Sequence, residues 1–84
     1  VLEDERALVI GAGETGVLVA RHLKEKKIGG LAFANRTLER AQNAAAEFGA
    51  TAHGLDELPA LILRSDLIVA CVEGQTAVID ASVF

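Results

Sequence analysis

Tryptophan, tyrosine and methionine are absent from these 84 residues, phenylalanine occurs three times, and proline and cysteine once each. With so few aromatics and 51% hydrophobic residues, the core has to be built from Val, Ile, Leu and Ala, which suits a buried parallel sheet covered by helices. One cysteine, Cys71, excludes an internal disulfide, and no zinc-type spacing exists, so a reducing, cytoplasmic setting is expected. No apolar run approaches the roughly 20 residues that span a bilayer, and the opening VLEDER lacks the basic segment of a signal peptide. No membrane partner is expected. Positive charge is also scarce: 8 Lys and Arg against 12 Asp and Glu give a net charge of -4, which argues against direct nucleic-acid binding by this domain.

What is present is an alternating pattern. Arg6 to Ile10 (RALVI) is a short apolar run halted by Gly11, as in a buried strand. From Glu14, Val17, Ala20 and Leu23 recur at helical spacing, and Gly29-Gly30 supplies a stop. Leu31 to Ala34 reads as a second strand, and Thr37 can cap a second helix with the stripe Leu38, Ala41, Ala45 and Phe48, ended by Gly49. Ala50 to His53 is a weak third strand. Asp56 can cap a short helix to about Arg64, with Pro59 in its first turn, and Leu67 to Val72 is the most strand-like run. The connections are too short for anything except right-handed crossovers. The expected fold is α/β: a three-layer, Rossmann-like parallel sheet of order 3-2-1-4, open to a short fifth strand at Val78 to Asp80. Residues 1–84 form one domain, and its apolar ends, including ASVF, suggest a piece of a larger multidomain enzyme.

Between the first strand and helix lies GAGETG, comprising Gly11, Ala12, Gly13, Glu14, Thr15 and Gly16. In a strand-turn-helix context this G-x-G-x-x-G is a dinucleotide-binding turn. Gly11 permits the turn, Gly13 lets the backbone approach a pyrophosphate, and Gly16 lets the helix lie close on the sheet. The amides of Gly13, Glu14 and Thr15 are then the phosphate donors, and the Glu14 side chain can help cap the helix. About 20 residues on, where an acid would hold the ribose of NAD, the chain has Asn35, Arg36 and Thr37. A guanidinium there suits a 2′-phosphate, with the Asn and Thr as neutral donors, so the cofactor expected is NADP. Neither His22 nor His53 shows a carboxylate at ligand spacing, and Leu61, Ile62 and Leu63 give the third helix more apolar surface than one sheet face needs.

The segments LVIGAGETGVLVARHL, ANRTLERAQNAAAEFGA and LDELPALILRSDLIVA together resemble the NADPH-binding domain of the glutamyl-tRNA reductase family over about the first seventy residues. That resemblance implies hydride supply for the reduction of glutamyl-tRNA to glutamate-1-semialdehyde, at the start of tetrapyrrole (porphyrin) biosynthesis. It further implies a cysteine nucleophile in a separate catalytic domain, contact with glutamyl-tRNA through other domains, and a homodimeric full-length enzyme. Cys71 does not match that nucleophile and reads as a small buried hydrophobe, so no catalytic residue is assigned here. After Asp66 the chain departs from the family pattern: Ala70, Cys71, Val72 and Glu73 to Thr76 replace a hydroxyl-rich strand end. Two alternatives stay open. A shikimate dehydrogenase-like enzyme also carries NRT here, although its turn usually reads GAGGA; a nucleotide-sensing module without catalysis would fit the altered strand end.

Overall fold

A computed structural model describes residues 2–72 and 75–80. Eight regular elements follow in the order β1 (Arg6–Ile10), α1 (Glu14–Glu25), β2 (Gly30–Ala34), α2 (Leu38–Phe48), β3 (Thr51–His53), α3 (Leu58–Arg64), β4 (Leu67–Val72) and β5 (Gln75–Asp80). The sheet order is β3-β2-β1-β4-β5, and the first four strands are parallel as the alternating pattern requires. Ala7 of β1 lies beside Leu31 and Leu67, and Ile10 beside Ala34 and Ala70, so β1 and β2 finish level at one edge while β4 runs two residues further to Val72.

β1 is central and covered on both faces, which is why it reads as an unbroken apolar run. Ala7 and Val9 point to the α1 and α2 side, where they join Ala20, Phe33, Ala41 and Ala45. Leu8 points the other way and meets Ala34, Leu61 and Ile68 beneath α3. Period-two alternation thus feeds two cores from one strand. The scarce aromatics are used together, with the Phe33 and Phe48 rings stacked at 6.2 Å. Of the apolar triplet on α3, Leu61 is buried but Leu63 is 88% exposed, so one helix turn carries both an inner and an outer residue.

Three local features differ from the sequence pattern. The fifth strand is longer than 78–80 and antiparallel to β4, with Val72 opposite Gln75. Two intervening residues are too few for a crossover, so a hairpin is the only connection available. Those residues, Glu73 and Gly74, lie outside the described residues, as do Ala81 to Phe84, so the expectations placed on them cannot be carried into the structure. α1 ends at Glu25 rather than at Gly29: Lys27 adopts φ 62°, its N–H donates to the Lys24 carbonyl, and that of Ile28 to Leu23. This is the Schellman arrangement with a lysine in the left-handed position. α2 closes in the same way with Gly49 at φ 64° and Ala50 N–H bonded to Ala45 O. Finally, α3 begins at Leu58, after a 3-10 turn over Leu55–Glu57, so Asp56 does not cap it.

Candidate functional site

The level strand ends deliver two connections to the same edge of the sheet. In the first, Gly11 takes φ 105°, and its N–H donates to the Ala34 carbonyl at 2.7 Å. A Cβ on Gly11 would collide with the Cys71 carbonyl, and one on Gly16 with the Gly11 carbonyl. Both glycines are therefore required by the protein's own packing. Gly13 is different. Its φ of -82° and ψ of -169° are open to any residue, and a Cβ there would meet no atom within 4 Å. Nothing among the described residues calls for glycine at 13.

α1 starts at this point, with the Val17 N–H donating to Gly13 O at 3.0 Å. The amides before Val17 have no carbonyl one turn back to receive them, and together with the helix dipole they make an anion-binding N-terminus. No side chain caps the helix, so the exposed Glu14 contributes its backbone alone. Among the described residues, this turn is where an absent Cβ and unclaimed donors coincide. The donor set and open space fit a pyrophosphate.

In the second connection the side chains are sorted by task. Asn35 is partly buried: its Oδ1 accepts from Ala12 N–H (3.3 Å), and its Nδ2 donates to Thr37 O (3.0 Å). It acts as a strut between the two loops and retains one Nδ2 proton. Thr37 stands at the N-cap of α2 with no side-chain capping bond, while its carbonyl receives the N–H groups of Arg40 and Ala41. Arg36 is exposed and makes no hydrogen bond or ion pair with any described residue. Its guanidinium is held ready rather than spent.

A groove of about 740 Å³ runs from the glycine turn between α1 and α2. Ala12 to Thr15 form its upper end, and Arg40 and Asn43 line the α2 side. Arg21 and Glu47 reach across it at 3.6 Å, both about half exposed, so the pair contributes little to stability. Arg40 was not singled out from the sequence. The available signal was its position in the first turn of α2, three residues after the cap Thr37, where an anion is also favoured by the helix dipole.

His53 also gains partners that spacing along the strand did not suggest. Glu57 lies 3.1 Å from Nδ1 and Thr51 Oγ1 lies 2.9 Å from Nε2. The 3-10 turn brings the carboxylate back over the strand end. No cluster of three metal-ligating side chains occurs among the described residues. Cys71 is partly buried against the helix-covered core, as a small hydrophobe would be.

With this geometry established, comparison with known proteins is specific. The family model for shikimate / quinate 5-dehydrogenase matches residues 1–84. Glutamyl-tRNA reductase of Pseudomonas savastanoi pv. phaseolicola is 46% identical over 78 residues, covering 93% of this chain and 18% of that protein. The glutamyl-tRNA reductase of Methylococcus capsulatus is 51% identical over 69 residues, covering 82% and 16%. Among solved structures, glutamyl-tRNA reductase from Methanopyrus kandleri superposes with a TM-score of 0.77 at 42% identity, over 82% of this chain and 17% of that one. The chain thus spans less than a fifth of the length of these relatives.

Proposed function

The chain belongs to the shikimate / quinate 5-dehydrogenase family, and from that premise we propose that it is the NADP-binding domain of a glutamyl-tRNA reductase-like oxidoreductase. The observation that carries the cofactor assignment is the contrast at the glycine turn: Gly11 and Gly16 are explained by packing, whereas Gly13 is explained only by a ligand resting on the turn. Gly13, Glu14 and Thr15 hold the pyrophosphate through backbone N–H groups. Arg36 takes the 2′-phosphate, Thr37 and the remaining Asn35 proton add neutral donors, and Arg40 adds a second cation at the same helix end. The cofactor, when bound, supplies hydride.

Within the larger enzyme, this chain's task is to hold and orient that cofactor while another domain presents the glutamyl thioester derived from glutamyl-tRNA. The product on this reading is glutamate-1-semialdehyde, which feeds porphyrin synthesis. We assign the full-length enzyme to the cytoplasm as a homodimer that meets tRNA through its other domains. The relatives' names and the 46–51% identities support this reading over a shikimate dehydrogenase. The family description keeps the latter as a second reading.

Calorimetric titration with NADPH and NADH tests the cofactor assignment. NADPH is expected to bind at least about tenfold more tightly, the worth of one charge-assisted contact. Equal affinities would overturn the role of Arg36. Reduction of glutamyl-tRNA by the full-length protein tests the larger reading, and turnover of 3-dehydroshikimate instead would select the alternative.

A further inference from the structure

On the α3 face of the sheet, running from the first residues of β1 and β2 to β3, the molecule has a second cleft, of about 280 Å³, just below the usual range for small-ligand sites of about 300–1,000 Å³. Its floor is apolar, formed by Ala32 and Leu61. Arg6 and Arg64 stand at its rim, and Thr51 and His53 form a wall. No Asp or Glu among the described residues lines it, although acids outnumber bases 12 to 8 in the chain. Charge is therefore segregated here against the overall balance.

The surroundings fix these groups without consuming their charge. The Arg6 stem lies across Gly30, where a Cβ would stand 3.0 Å from Arg6 Cγ. Glycine at 30 lets that stem lie flat, and the guanidinium forms no ion pair with a described residue. Arg64 uses Nε toward Ala60 O at 3.4 Å, which leaves its terminal nitrogens unspent. Of the nearest acids, Asp66 accepts the Arg6 backbone N–H at 2.9 Å and Glu57 is engaged by His53 Nδ1. A carboxylate on Nδ1–H leaves Nε2 to accept the Thr51 hydroxyl proton, so both ring nitrogens are tied and the wall is rigid.

We infer that this cleft binds a small organic carboxylate, its head between Arg6 and Arg64 and its apolar stem on Ala32 and Leu61. The site is separate from the glycine turn and does not depend on the cofactor assignment.

The test is titration of the protein with hexanoate, hexanol and inorganic phosphate, followed by backbone amide NMR. Hexanoate is expected to give saturable shifts at Ala32 and Leu61 that weaken as salt is raised. Hexanol and phosphate should each bind at least about tenfold more weakly, since each lacks one half of the recognition. The double variant Arg6→Gln, Arg64→Gln should lose hexanoate by a similar factor while retaining NADPH affinity and a dispersed amide spectrum. Absence of saturable shifts, equal binding of hexanol, equal binding of phosphate, or full hexanoate affinity in a folded double variant would each overturn the assignment.

Discussion

On the proposed reading, the two connections that reach the glycine-turn edge of the sheet would handle phosphate in different ways. Between β1 and α1 the donors are backbone amides, and the side chains matter chiefly by being absent at Gly11, Gly13 and Gly16. Between β2 and α2 the donors are side chains, with Arg36 exposed, Asn35 used as a strut and Thr37 at the cap. Backbone donors recognise a phosphate common to both nicotinamide cofactors; a side-chain cation can distinguish the one bearing an extra phosphate. If the proposed site holds, generic affinity and specificity lie in adjacent loops and can be separated by substitution.

The largest effect is expected where glycine serves the protein itself. Gly11→Ala places a Cβ against the Cys71 carbonyl at φ 105°, and should cost about 3 kcal/mol, lowering Tm by roughly 12–24 °C. Thermal unfolding followed by circular dichroism checks this, and an unchanged Tm would mean the turn is looser than described. Gly13→Ala should instead leave Tm unchanged or slightly raised, because its backbone is ordinary and the space is open. Its loss is in ligand binding: NADPH and NADH should both weaken by about a hundredfold, an overpacking cost of some 2–3 kcal/mol against the pyrophosphate.

Substitution in the second loop should break the symmetry between cofactors. Arg36→Ala is expected to weaken NADPH by about tenfold to a hundredfold with NADH unchanged, by calorimetry. Equal losses for both cofactors would merge the two loops into one function. The smallest effect sharpens the contrast between required and unrequired glycine at the helix ends. α2 has Gly49 in its left-handed position and α1 has Lys27 in the corresponding one. Lys27→Gly should stabilise by roughly 0.5–1 kcal/mol, since lysine bears a steric cost there that glycine does not. Chemical denaturation would measure it as a higher midpoint at constant m-value.

The legible parts of the fold were those with a local signal. Alternating apolar runs and glycine stops gave four strands and three helices with the order 3-2-1-4, and the structure retains them. The end of α1 was misplaced because Gly29-Gly30 is the stronger composition signal. Gly29 serves another purpose: a Cβ there would meet the Glu3 carbonyl of the 3-10 turn preceding β1. Long-range pairings were not legible at all. Asn35 reaches back 23 residues to Ala12, and nothing in its immediate sequence distinguishes a strut from a ligand donor. His53 and Glu57 are four apart outside a continuous helix, so helical spacing gave no warning that the 3-10 turn would join them.

By itself the sequence determined the layered α/β architecture, the glycine turn and the replacement of an acid by Arg36, because each follows from residue type and short spacing. Tertiary structure alone decided which glycines are internal necessities and which is not, for that depends on whether a carbonyl from another segment occupies the missing Cβ's place. It also decided that Asn35 joins the loops while Arg36 stays unspent. Their shared neighbourhood made both look like donors; only the position of the Ala12 amide separates their tasks.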